Sequence, residues 1–318
     1  MGDKGCFREG FQVICSPSDN VAILADSSEI PLLEINNLTL GEARVQSKVA
    51  RLCNSTSSTI EDIQSVNFSV GPSFTVSGAR NKFTAIGCAT VASIVRGPVP
   101  DDSSVTSACG SFCYKEDSID NGTKCLGRGC CQSPIPESLN SFYPVFLTDV
   151  DNSGVQNFSA CSYAFIAEED SFKFDPSYAK SNSFQKHYNP HLVLDWVVGQ
   201  ETCAEAMKSE SSYACKFQNS TCIDVPGRGY RCSCSAGYDG NPYLDGGCQD
   251  IDECKTLPQP CTKDGQCINT EGSYACTCSR GTHSDDAKSL PCTPTDDNGP
   301  NKMVIGISVA LSLLSSLC

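Results

Sequence analysis

Apolar and polar residues alternate in short runs along the first 200 positions, as in Ser65–Val70, Phe83–Val91 and Tyr143–Thr148. A period of two sends successive side chains to opposite faces of an extended chain, so these runs predict half-buried β-strands. Clusters of Gly, Pro, Ser and Asn separate them and mark turns. The 3.6-residue period of an amphipathic helix is weak. Beyond residue 200, cysteines recur at short intervals, as they do where a small β-hairpin unit cannot bury a core and must be cross-linked instead. The expected fold class is mainly β and disulfide-rich: an N-terminal cysteine-rich β domain, two small modules and a short C-terminal apolar helix.

Six cysteines between Cys254 and Cys292 are spaced C-x6-C-x5-C-x8-C-x-C-x13-C. Cys276 and Cys278, one residue apart, point to opposite sides of an extended strand and need different partners. The same order recurs from Cys203 to Cys248, again with one residue between Cys232 and Cys234. Six cysteines admit fifteen connectivities, so spacing alone leaves the pairing open. Both sets resemble epidermal-growth-factor-like (EGF-like) modules. The resemblance implies Cys203–Cys222, Cys215–Cys232 and Cys234–Cys248 in the first, and Cys254–Cys267, Cys261–Cys276 and Cys278–Cys292 in the second. Five segments are expected: 1–200, the cysteine-rich domain; 201–249 and 250–292, the two modules; 293–302, a linker; and 303–318, an incomplete transmembrane helix.

Directly before Cys254 stands Asp250-Ile251-Asp252-Glu253, and Asn269 and Tyr274 follow at set offsets. This resembles the calcium-binding EGF-like signature. Calcium takes six to eight oxygen ligands from carboxylates, amides and backbone carbonyls. The resemblance implies side-chain oxygens from Asp250, Glu253 and Asn269, with backbone carbonyls from Ile251, Thr270 and Ser273. The first module has Gln200-Glu201-Thr202 in place of the acidic prefix, so no ion is expected there. Only Gln249 separates the modules, so a bound Ca2+ would brace their joint.

Twenty-three cysteines in 318 residues describe an oxidised, exported protein. Six glycosylation sequons agree, at Asn37, Asn54, Asn67, Asn121, Asn157 and Asn219. The CxxC and His pairs of a cytosolic zinc protein are missing. Residues 1–200 carry fourteen Lys+Arg against twenty-two Asp+Glu, net −8, and the remainder net −6, of −14 in all. Nucleic acid asks for a basic face, so it is not an expected partner. Met1–Cys6 has no apolar stretch of an export signal. Met303–Cys318 is uncharged and would span about 24 Å as a helix at ~1.5 Å per residue. That is expected to be the first part of a membrane span, with a lipid-anchor tail as the alternative.

In the N-terminal region the step Gly129-Cys130-Cys131 is informative. Adjacent Cα atoms lie ~3.8 Å apart, below the usual disulfide range, so these cysteines are expected to bond to separate strands. Gly5-Cys6 with Phe11–Cys15, Cys125-Leu-Gly-Arg-Gly-Cys130-Cys131 with Ile135-Pro136, Cys161–Phe165, Leu194–Val197 and Gly240–Leu244 follow in order. Together with the modules they resemble the extracellular part of plant wall-associated receptor kinases, a galacturonan-binding domain ahead of two EGF-like modules. The family's opening Cys-Gly block is missing, and so are its kinase motifs, so no enzyme activity is expected. The resemblance implies a single-pass receptor-like protein on the extracellular side of the plasma membrane.

Its implied ligand is pectin or oligogalacturonide, a polymer with one carboxylate per sugar that needs Arg or Lys partners. Residues 41–96 are locally basic, and Arg44, Lys48 and Arg51 are the candidate ligand contacts. Scattered solvated charges are the plainer reading of the same residues. Among enzyme signatures, His187 and His191 have zinc-helix spacing but Pro190 interrupts it. The acids at 168–170 read as a solvated turn, and the lone Trp196 as core. The alternative function is a structural or protein- or peptide-binding ectodomain without polysaccharide affinity.

Overall fold

The computed structural model describes residues 7–16, 21–24, 33–54, 60–97, 105–148, 150–180 and 184–295. Cys6 and the apolar segment 303–318 lie outside them, as does most of the linker. Among the described residues no helix is long and apolar enough to cross a membrane.

The chain opens with β1 (Val13–Ser16), β2 (Val21–Leu24), β3 (Leu33–Leu38), β4 (Glu42–Gln46) and β5 (Ala50–Asn54). Then come β6 (Ile60–Gln64), β7 (Phe68–Ser69), β8 (Phe74–Val76), β9 (Asn81–Gly87) and β10 (Thr90–Arg96). β11 (Val105–Ser111), β12 (Gly129–Pro134), β13 (Ser141–Phe146) and β14 (Cys161–Glu168) follow. Two short helices, α1 (Pro176–Lys180) and α2 (Phe184–His187), precede β15 (His191–Trp196). These strands form three sheets, ordered β1-β2-β3-β4-β15-β8, β11-β10-β13-β7 and β12-β9-β14-β5-β6.

The run Phe83–Val91 is not one strand. Ala89 adopts φ 54°, and the turn there divides the run between β9 and β10, which belong to different sheets. Burial alternates only at the start of β10; six of the seven residues of β9 are buried, so both its faces are covered. Ser65–Val70 contributes only the two-residue β7. β14 scarcely alternates, because seven of its eight residues are buried and both faces are covered. Tyr163 and Phe165 on β14 pack against Phe184 with ring centroids 5.1 and 5.3 Å away, and Phe172 closes on Phe165 at 5.6 Å. Each such ring buried contributes roughly 1.5–3 kcal/mol.

Disulfides lace this core. Cys53 and Cys161 are register partners of β5 and β14 and are bonded. Cys88 bonds Cys113. Of the adjacent pair on β12, Cys131 reaches Cys109 on β11 as expected of a strand-to-strand link. Cys130 departs from the expectation. It faces the other side of β12, where the preceding loop folds over the core, and bonds Cys125 in that loop.

The single Trp196 is 8 % exposed and lies edge-on to Phe11 at 5.5 Å. Its indole N–H donates to the Thr39 carbonyl at 3.2 Å, so it serves the core. His187 ends α2 and His191 begins β15, so no helix carries both.

By compactness the chain divides into Met1–Lys216 with Cys222–Ser233, and Phe217–Thr221 with the residues from Cys234 onward. The first unit thus includes α3 (Cys203–Ala206), capped reciprocally by Thr202 and Glu205, and the bonds Cys203–Cys222 and Cys215–Cys232. The strands β16 (Ser220–Val225) and β17 (Gly229–Cys234) pair as a hairpin. The second unit holds β18 (Tyr238–Gly240), β19 (Cys248–Asp250), α4 (Glu253–Thr256), β20 (Gly265–Thr270) and β21 (Ser273–Cys278). Its bonds are Cys234–Cys248, Cys254–Cys267, Cys261–Cys276 and Cys278–Cys292.

Candidate functional site

Three features of the molecule have functional chemistry. The first is the cluster around Asp250. β19 ends at Asp250, which pairs with Tyr238 of β18, and α4 begins three residues later at Glu253. β20 and β21 form a tight hairpin in which Thr270 faces Ser273 and Asn269 faces Tyr274. The hairpin turn comes up against Asp250. The Asn269 amide donates to one Asp250 oxygen at 2.6 Å, and the Gly272 backbone N–H donates to the other. Thr270 donates its hydroxyl to the Ser273 carbonyl at 2.8 Å. Asp250, Asn269, Thr270 and Ser273, apart by up to 23 positions, are thereby brought together. Ile251 is anchored by its own N–H to the Gly237 carbonyl at 2.9 Å.

Glu253 provides the sharpest indication. Its Oε2 is buried and has no hydrogen-bond partner among the described residues. A carboxylate oxygen removed from water without a partner is costly, and a cation is the group that compensates it. Rotating the Asn269 amide by half a turn presents its oxygen in place of its NH2. The set then offers two carboxylates and neutral oxygens only, which is hard-cation chemistry. Among the described residues no three His, Cys, Asp or Glu side chains converge.

The second feature concerns the basic residues of β4 and β5. Residues 42 to 48 do alternate, with Arg44, Gln46 and Lys48 half-exposed between buried Val45 and Ser47. Arg44, however, is engaged. Its Nε and Nη2 donate to the two oxygens of Glu168 at 3.0 and 2.7 Å, and Arg80 bridges Glu168 at 2.7 Å and Glu42 at 2.9 Å. Glu169 and Asp170 form the expected exposed turn, but Glu168 does not belong to it: 4 % exposed, it ends β14 beside Asn81 of β9. Burial pushes its carboxyl up, but the hydrogen bonds and charges of Arg44 and Arg80 outweigh this and hold it below the ordinary range. Arg51 lies on β5, in a different sheet from Arg44, opposite Tyr163.

Lys48 opens onto a groove of about 410 Å³ lined by Gln46, Gln64, Gln185, Asn189, Glu34 and Tyr188. Partial burial lowers the lysine's pKa. Of the sequons, Asn37, Asn67, Asn121 and Asn157 are exposed; Asn219 is half-buried with φ 59°.

The third feature had no signal in the basic stretch. A cavity of about 370 Å³ opens between the β8 end of the large sheet and the β16–β17 turn, with Arg228 and Arg231 in its wall. Charge counted along the sequence does not reveal it, because residues near 75, 137, 195 and 228 meet only in the fold.

Family models match residues 250–292 as a calcium-binding EGF domain and residues 218–242 as an EGF-like domain. Wall-associated receptor kinase 2 of Arabidopsis thaliana is 33 % identical over 294 residues, 91 % of this chain. The chain is a homologue of the wall-associated receptor kinases. Wall-associated receptor kinase 1 of the same plant is 32 % identical over 294 residues, 87 % of this chain, and wall-associated receptor kinase 5 is 34 % identical over 206 residues, 63 % of this chain. The chain spans 37 % of the length of the first two and 26 % of the third. What aligns is the EGF-bearing extracellular region; the receptors' kinase domain lies outside the alignments.

Proposed function

We propose that this chain is the ligand-binding ectodomain of a wall-associated receptor-like protein on the outer side of the plasma membrane. In this reading it holds calcium in its second EGF-like module and binds pectic galacturonan. The buried, unpartnered Glu253 oxygen, three residues after an Asp250 that already holds Asn269, carries the calcium reading. Asp250, Glu253 and Asn269 supply side-chain oxygens, and Ile251, Thr270 and Ser273 supply carbonyls. Calorimetry of the oxidised chain should give one site with Kd on the order of 10⁻⁴–10⁻³ M, the range of extracellular modules. Glu253→Gln should weaken it with all disulfides intact. A folded, oxidised sample with no calcium-dependent heat overturns the assignment.

The polysaccharide reading rests on the wall-associated homologues and on the Lys48 groove. Carboxamides of Gln46, Gln64, Gln185 and Asn189 can each donate and accept, as sugar hydroxyls require, and Tyr188 adds a half-buried ring. With Arg44 committed to Glu168 and Arg51 in another sheet, Lys48 is the one of the three candidate contacts that lines this groove. A single exposed charge pair contributes only about 1 kcal/mol or less, so affinity must come from repetition along the polymer. Binding should therefore rise with oligogalacturonide length and fall on methyl esterification and with salt. If esterified and free polymer bind equally, or neither binds, a protein or peptide ligand replaces the polysaccharide.

A further inference from the structure

The cavity beside β8 sets two arginines in the wall of an otherwise acidic chain. Its wall contains Arg228 and Arg231 together with Thr75, Glu137, Ser138 and Asp195. Neither arginine is in an ion pair among the described residues. Arg228 donates from Nη2 to the Asp195 backbone carbonyl at 3.2 Å, and Arg231 donates from Nη1 to the Gly41 carbonyl at 3.3 Å. Each guanidinium has five N–H donors, so most remain available in both. Burial lowers the Arg228 pKa, Asp195 opposes this, and the charge of Arg231 adds to it. Two like charges are thus held near each other, partly out of water, without a carboxylate bonded to either.

The pocket wall is well supported. Val198 and Tyr230 exchange backbone hydrogen bonds at 2.7 and 3.2 Å, joining the segment after β15 to β17. Gly229, with φ 150°, sits so close to Val198 and Gly199 that a Cβ would strike both carbonyls. The Tyr230 hydroxyl accepts from the Ala214 N–H at 3.0 Å. All these residues belong to the same compact unit, so the arginines are held in place before any ligand arrives.

We infer that Arg228 and Arg231 form a carboxylate-binding subsite that takes one uronate sugar. Guanidinium forks suit a carboxylate bidentately. The hydroxyls of Thr75 and Ser138 and the carboxylates of Glu137 and Asp195 are the partners that a sugar's hydroxyls need. At about 370 Å³ the pocket lies near the low end of small-molecule sites, about 300–1,000 Å³, which favours one sugar unit over a folded peptide segment. This deepens the galacturonan reading and rests on it.

The test titrates the oxidised full chain with oligogalacturonides of defined length. Arg231→Gln and Arg228→Gln should each weaken binding about tenfold, and Arg231→Lys should recover only part, since a point charge lacks the fork. Glu137→Gln, at the exposed rim, should tighten binding about two- to fivefold by removing a like charge while keeping an acceptor; a purely structural role predicts no such gain. If the arginine variants bind within twofold of the unaltered chain while Lys48→Gln weakens binding, the galacturonan reading stands and this subsite is wrong. If no form binds the oligomers, the galacturonan reading itself fails and the subsite falls with it. Loss of folding in an arginine variant, seen as altered circular dichroism, leaves Glu137→Gln to decide, and unchanged affinity there overturns the proposal.

Discussion

Glu168 is the residue on which the most charge depends. It accepts from Arg44 and Arg80 while only 4 % exposed, and both partners are about two-fifths exposed. Removing one side of a buried pair costs about 3–5 kcal/mol, and the exposure of the arginines reduces that here to roughly 2–3 kcal/mol for Glu168→Gln. Its folded pKa is depressed. The associated stability is therefore complete above the unfolded glutamate value of about 4.3 and is lost as pH falls through the lower folded value. Denaturant midpoints measured from pH 7 to 2 should fall less steeply on the acid side for Glu168→Gln than for the unaltered chain. Parallel curves would show that this carboxylate is not coupled to folding. Gly237 is constrained in another way. It has φ +82°, and a Cβ there would collide with the Gly272 carbonyl. Gly237→Ala should accordingly loosen the packing of β18 on the β20–β21 turn, adding to the ~1–3 kcal/mol that such a backbone conformation costs a non-glycine residue. Faster amide exchange at Ile251, whose N–H donates to the Gly237 carbonyl, is the readout.

Among the elements, β14 organises the N-terminal domain. It pairs with β9 on one side and β5 on the other, and its aromatic residues Tyr163 and Phe165 lie fully buried in the core. Cys53–Cys161 ties β5 to it across 108 residues of sequence. In the chain-entropy picture a loop of that length corresponds to about 4–5 kcal/mol, more than the short bonds inside the modules. Replacing Cys53 and Cys161 together by Ala should lower the melting temperature more than replacing Cys125 and Cys130, which close only five residues. Equal shifts in differential scanning calorimetry would mean that native-state strain or packing, not loop closure, sets their worth.

At the scale of the whole molecule, the disulfides set the working state, and the proposed calcium site would add to it. An ion bound only by the folded form stabilises it by RT ln(1 + [L]/Kd). With a Kd of about 1 mM, 10 mM calcium should add about 1.4 kcal/mol. The effect should appear in the unit that holds Asp250 and vanish in Glu253→Gln. Ten disulfides run through the described residues, and each one lost from a small module costs roughly 2–5 kcal/mol. Production in a reducing cytosol should therefore yield little folded protein. A soluble, cooperatively unfolding chain with all thiols titratable would contradict this.

Local spacing alone determined much of this protein. The single-residue intervals Cys232–Cys234 and Cys276–Cys278 require different partners for each cysteine, because the constraint acts between near neighbours on one strand; the modules themselves were identified by the resemblance of the whole cysteine order. That Asp250 and Asn269 come together rests on the β20–β21 turn reaching β19, while their proposed role with Glu253 comes from the resemblance to a calcium-binding EGF-like signature. The β class followed from period-two runs, though the period could not locate the turn at Ala89, because the residues on either side of it are buried. Tertiary structure alone decided the rest. Arg44 read as solvent-facing, yet Glu168 lies 124 positions away in sequence and meets it only when β14 and β4 fold together. The Cys130 partner depended on which side of β12 the preceding loop covers. Arg228 stands in an ordinary hairpin turn and Arg231 on the strand after it, and they wall a pocket because Tyr230 docks on Val198. Charge and periodicity are properties of neighbours along the chain, whereas partners, burial and cavities belong to residues that only the closed sheets bring together.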